Sequence, residues 1–188
     1  MGKLSITPDQ FEILVVRELR KVGLEVSGLR IRRRIRISAE TGEYDLDLAA
    51  RLSAEGEEHR VLIGCRHREV AIGREQLGRL HGRLEEAGAE KALLFATTEF
   101  ERDALAFGRD AGIALLQVVD GRTAHDTGGW GVRGHYPSWL PEHVARVVRL
   151  DDVGLVATAL LVAGQPRLIL DRLRPGTAPA SPGGGHSG

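Results

Sequence analysis

Glu43, Asp45 and Asp47 stand two residues apart in Glu43-Tyr44-Asp45-Leu46-Asp47-Leu48-Ala49-Ala50, and a polar turn separates this run from Val61-Leu62-Ile63-Gly64-Cys65-Arg66-His67. Both segments read as short strands, in which side chains two apart share a face, so the three carboxylates form one acidic row. Such a row can hold a hard divalent cation, which takes oxygen ligands. If the second segment lies beside the first, Gly64, Arg66 and Arg68 make the matching row. Glycine then stands where a cation cup would want a further carboxylate. Arg66 can stabilise negative charge, but a guanidinium stays protonated and cannot serve as a base.

The elements that must position these residues follow in order. Thr7-Pro8-Asp9 opens a helix with a capping hydroxyl, a proline in the first turn and an acid at the positive dipole end. Phe11, Leu14, Val15, Leu19 and Val22 recur at helical spacing up to Gly23, with Glu18 the polar member of the stripe and Glu12 beside it. From Glu25 to Ser38 the pattern alternates, with Leu29, Ile31, Ile35 and Ile37 on one side and Arg30, Arg32, Arg34 and Arg36 on the other. A strand with a basic face is either a solvated edge kept from aggregating or a strip for phosphate contacts. Five arginines and no lysine in Arg30–Arg36 suit bidentate phosphate recognition.

After the second strand, residues 73–87 read as a helix with Leu77, Leu80 and Leu84 inward, 91–97 as a buried strand, 99–110 as a helix and 113–119 as another apolar strand. That order predicts an α/β fold, a mixed central β-sheet flanked by helices. Right-handed crossovers should set 91–97 and 113–119 parallel to their neighbours, with the hairpin strands antiparallel at one side. Residues 1–120 form the main domain on this reading, 121–174 an aromatic loop and small C-terminal extension, and 175–188 a disordered tail of proline, glycine and serine. Within the extension, 121–141 reads as a loop tied down by Trp130, Tyr136 and Trp139, 141–150 as a short helix, and 153–170 as two apolar strands broken at Gly164-Gln165-Pro166.

Composition narrows the classes. Lysine plus arginine equals aspartate plus glutamate at 26 each, so no global field draws the chain to nucleic acid or an anionic membrane, and such binding must come from a local patch. The lone Cys65, in an apolar strand, behaves as a small hydrophobe and suits a reducing cytoplasm. Irregular histidine spacing with one cysteine argues against a structural zinc, and Gly128-Gly129-Trp130-Gly131 lacks the strand and lysine of a nucleotide loop.

Taken together, the Phe11-Glu12 helix, the strand ending Asp47-Leu48-Ala49-Ala50, the run Val61 to Arg68, the helix start Ile72-Gly73-Arg74-Glu75-Gln76 and the closing strand pair resemble the PD-(D/E)xK nuclease superfamily, specifically the Mrr-like restriction endonuclease domain, over about residues 7–120. The resemblance implies a restriction-endonuclease-like fold, DNA as partner and Mg²⁺ or Mn²⁺ as cofactor. The family aspartate falls on Asp47, with Asp45 as the fallback, and these two are the implied metal ligands. The family Glu-x-Lys triplet falls on Gly64-Cys65-Arg66, which lacks the glutamate and replaces the lysine. Glu12 matches the first-helix glutamate and Gln76 a glutamine in the helix after the triplet; Glu75 or Glu43 could supply a migrated acid.

Two functions follow from this resemblance. In the first, Asp47, Asp45, Glu12, Arg66 and Gln76 form the site of a slow, metal-dependent DNA endonuclease, with Arg30, Arg32, Arg34 and Arg36 on the DNA. In the second, Gly64 and Arg66 mark a pseudonuclease that binds DNA or a protein without cutting. The segment 153–170 is a candidate contact for a homodimer or an operon partner protein.

Overall fold

The computed structural model describes residues 4–176, so the tail expected to be disordered lies, from residue 177 on, outside the described residues. Thr7 caps α1 (Pro8–Lys21): its hydroxyl accepts the Gln10 amide at 3.2 Å, and the Gln10 side chain accepts the Thr7 amide at 2.9 Å. Phe11, Leu14, Val15 and Leu19 bury the inward stripe. Glu18 is buried among them and accepts from Lys21 Nζ at 2.9 Å, from Arg17 and from the Ala145 amide at 3.2 Å. Arg17 also donates to the His143 carbonyl, so one helix turn is fastened to a strand far along the chain. Glu18→Ala leaves that amide without its acceptor and is expected to lower unfolding free energy by about 1–3 kcal/mol. Urea unfolding measures this, and a loss under about 0.5 kcal/mol, the low end for a net hydrogen bond, would assign the fastening to packing alone.

Strands β1 (Glu25–Arg36), β2 (Tyr44–Ala54) and β3 (Glu57–His67) form an antiparallel meander. Helix α2 (Arg74–Gly82) leads to β4 (Lys91–Ala96), and α3 (Arg102–Ala111) to β5 (Ile113–Asp120); β3, β4 and β5 run parallel, as the crossovers predict. Among the described residues the sheet has seven strands in chain order, making this a mixed α/β fold. Leu46, Leu48, Ile63, Cys65 and Phe95 share one core with α1, while Leu62 and Leu94 share the other with Leu77 and Leu80 of α2 and Leu105 of α3. No helix among the described residues is long and apolar enough to cross a membrane.

Five sequence expectations need correction. β1 does not keep one basic face: two bulges, between Ser27 and Arg30 and between Ile31 and Arg33, each insert a residue and reverse the alternation. Paired residues of an antiparallel ladder share a face. Arg30 and Arg33, opposite Ala49 and Asp47, therefore lie on the α2 side, and Arg34 and Arg36, opposite Leu46 and Tyr44, on the α1 side. Residues 121–128 are not loop but α4 (Gly121–Gly128), capped by Asp120, whose Oδ1 accepts the Arg122 and Thr123 amides at 2.9 and 3.0 Å. Gly121 is required there because a Cβ would lie 1.8 Å from the Pro141 carbonyl oxygen.

The stretch expected as a helix near 141–150 is β6 (His143–Leu150), antiparallel to β5. Its Val144, Ala145, Val147, Val148 and Leu150 are buried on both faces of the sheet, and such a run also matches helical spacing. Finally, β7 (Val156–Leu160) confirms the first strand after residue 153, but the second is α5 (Arg167–Leu170), whose Ile169 and Leu170 sit in the α1-side core. Arg167 anchors α5 on Glu55 and Glu57 at 2.7 and 2.8 Å, and its hydrogen bond, with those of His59 and Arg174, holds the half-buried Glu57 carboxyl down to about 2. Trp139 is 69% exposed and does not act as an anchor for the loop before β6.

Candidate functional site

β2 and β3 pair with Asp47 opposite Gly64 and Asp45 opposite Arg66, the alignment that the two-residue spacing implied. Asp47 and Arg66 are 2% and 3% exposed. Arg66 Nη1 donates to Asp47 Oδ1 at 2.7 Å, and Arg83 Nη2, from just after α2, donates to Asp47 Oδ2 at 2.8 Å. Arg68 grips Asp45, with Nε 3.1 Å from Oδ1 and Nη2 2.8 Å from both oxygens, and Arg66 Nε approaches the same carboxylate at 3.6 Å. Two carboxylates are thus closed into a network by three guanidiniums, and both oxygens of each accept from an arginine.

Gly64 completes the floor of this cluster. A Cβ on it would stand 2.7 Å from Leu94 Cδ1 and 3.2 Å from both Leu80 Cδ1 and Arg66 Nη1. The volume that a longer side chain would need is filled by β4, α2 and the arginine itself.

The other sequence candidates go elsewhere. Glu43 accepts from the Thr41 hydroxyl at 2.9 Å and the Glu69 amide at 3.0 Å, which turns it toward the loops at the end of the hairpin. Glu12 belongs to α1, which packs on the sheet face of Leu46 and Cys65, opposite to that of Asp47 and Gly64; among the described residues no hydrogen bond or ion pair joins it to the cluster. Glu75 pairs with Arg79 on the exposed side of α2. Gln76 lies on α2 with its Oε1 buried and accepting no hydrogen bond from the described residues. His67 is buried on the α1 side, its ring 5.1 Å from that of Tyr44, as its opposite parity implies. Burial pushes the Cys65 thiol far above its usual range, which fits an inert core residue. Arg30, Arg32, Arg33, Arg34 and Arg36 are all exposed along the edge strand, and Arg34 and Arg36 also line a groove of about 750 Å³ with Thr7, Tyr44 and His67.

One participant escaped the sequence reading, and another was read on the wrong face. Arg83 sits 36 residues from Asp47 and inside a stretch read as one continuous helix, where an arginine off the leucine stripe carries no signal. Arg33, one of the five arginines of the run, falls on the α2 side only because of a bulge, and the run Arg32-Arg33-Arg34 is the one local hint that strict alternation fails there.

The divalent cation that the resemblance implies can be tested against these donors. Magnesium wants an octahedral oxygen shell containing free carboxylate oxygens. Here the oxygens of Asp45 and Asp47 are already hydrogen-bonded to guanidiniums at 2.7–3.1 Å, Gly64 opposite Asp47 brings no carboxylate, and among the described residues no group of three or more histidine, cysteine, aspartate or glutamate side chains could hold a metal. The residues do not fit that group.

Neither a curated relative nor a solved structure matches the chain. A family model described as restriction endonuclease, Mrr_cat, matches residues 4–123, more than half of the 188 residues, and spans α1 through the start of α4. The chain accordingly belongs to the Mrr-like restriction endonuclease family.

Proposed function

We propose that this chain is a DNA-binding member of its family that does not cleave, a pseudonuclease in which an arginine clamp stands in for the metal cup. The observation that carries this reading is the double engagement of Asp47, by Arg66 at 2.7 Å and by Arg83 at 2.8 Å. A cation at Asp47 would have to displace two guanidiniums from a site almost closed to water, and Gly64 offers no ligand in return. Hydrolysis of a phosphodiester needs charge neutralisation at the phosphate and an activated water, and arginine supplies only the former.

The DNA side of the reading rests on β1. Its five exposed arginines face both sides of an edge strand, a local basic strip on a chain of zero formal net charge. Such a strip contacts backbone phosphates and so binds duplex DNA with little regard to sequence. Filter binding or fluorescence anisotropy should show affinity for duplex DNA that falls as salt rises. Replacing Arg34 and Arg36 together with alanine should weaken binding and flatten the slope of log affinity against log salt by about 2, one released counterion per lost phosphate contact.

A plasmid incubated with the protein and Mg²⁺ or Mn²⁺ should stay supercoiled. Nicking that disappears in Asp47→Asn would reinstate the endonuclease reading, and binding indifferent to salt would remove DNA as the partner.

A further inference from the structure

β7 closes the sheet on the side away from β1 and, among the described residues, is paired on one flank only, with β6. The outer flank of an edge strand presents N–H and C=O groups to any strand laid beside it, and natural edges are usually blunted by charge, proline or bulges. β1 has such a defence in its arginines and two bulges. β7 has none: no charged residue and no proline occurs from Val153 to Gly164. Val153, Leu155 and Val156 are 78%, 62% and 56% exposed, so apolar surface surrounds the open flank.

The strand is also complementary to itself. Val156-Ala157-Thr158-Ala159-Leu160 has nearly the same character read in either direction about Thr158. Antiparallel pairing with a second copy across a two-fold axis at Thr158 sets Ala157 against Ala159 and Val156 against Leu160, small against small and branched against branched. It also places the Asp151-Asp152 end of each strand beside the uncharged far end of the other, so like charges are kept apart.

We propose that β7 is the surface through which two copies of this chain join, extending the two seven-stranded sheets into one. The interface lies outside residues 4–123, so it is a property of this chain's own C-terminal strands and stands independently of the DNA-binding reading.

Sedimentation equilibrium of the full chain tests it. The expected result is a species of twice 20.4 kDa that becomes a monomer in Thr158→Lys, where two lysines would meet at the axis, while Val70→Lys, at an exposed site just after β3 and four strands away, leaves the dimer intact. Circular dichroism of Thr158→Lys should be unchanged, since that side chain is exposed. Independently, Thr158→Cys brings two thiols to a Cα separation of about 4.5–5.5 Å and should cross-link the dimer under copper-phenanthroline oxidation, since that span suits a disulfide. A monomer at the highest soluble concentration, or a dimer indifferent to Thr158→Lys that Thr158→Cys does not cross-link, would overturn the proposal.

Discussion

Asp47→Ala is expected to lower the unfolding free energy by about 3–5 kcal/mol, because breaking a buried ion pair from one side leaves the other charge uncompensated. Arg66, 3% exposed, cannot swing to water, although its Nε keeps a 3.6 Å approach to Asp45; that remaining partner places the loss toward the lower end of the range. Arg83, whose side chain is 26% exposed, can relax outward. The sign of the effect is what discriminates. An aspartate kept only to bind a metal gains stability when removed from the metal-free protein, since it relieves carboxylate repulsion and desolvation. Here it should lose stability. The paired replacement Asp47→Leu with Arg66→Met should recover most of the loss, as apolar side chains of similar volume often substitute for buried ion pairs without penalty. Urea unfolding of the three proteins measures both, and an Asp47→Ala protein as stable as the parent would show that the clamp is not structural.

The second large effect concerns Gly64. Restoring an acid by Gly64→Glu is expected to destabilise the fold by about 3 kcal/mol or more, combining the overpacking of a filled core site with partial burial of a new charge. The steric part is visible in the 2.7 Å approach of a Cβ to Leu94 Cδ1, a side chain fully buried between sheet and helix. Gly64→Ala isolates that part and should cost about 1–3 kcal/mol. Neither Gly64→Glu nor Gly64→Glu with Arg66→Lys should cleave plasmid DNA with Mg²⁺, because Leu80, Leu94 and Arg83 would still occupy the space around Asp47. Cleavage by either variant would mean that the packing yields more readily than the geometry implies. The glycine and the leucines around it form one unit, and a single reversion cannot undo it.

Most of the scaffold was legible because its signals are local. The Thr7-Pro8 cap, the leucine spacing of α2 and the apolar runs of β4 and β5 each fix an element within a few residues, and the parity of Asp45, Asp47, Gly64 and Arg66 placed them opposite one another as observed. The misreadings share a different cause. Whether Val147 and Val148 lie on a helix or on a strand covered from both sides depends on what packs against them, which is information held by α1 and α3 and not by the segment. The bulges of β1 change which face an arginine occupies without changing its sequence neighbours. Arg83 is the instructive case at the site: the want of an acid at Gly64 opposite Asp47 was readable, but the cation that closes the second oxygen of Asp47 arrives from another element, and only the folded chain brings it there.

The two ends of the sheet are unlike, and that difference limits how the molecule can associate. A sheet with two receptive edges can add copies head to tail without limit, which is the geometry of a fibre. The bulged, arginine-bearing β1 refuses both another β1, by repulsion, and an incoming β7, by its broken ladder and its charge. Any edge-to-edge growth of this chain therefore terminates after a single step, and the strand proposed to bind DNA also acts as the stop against polymerisation.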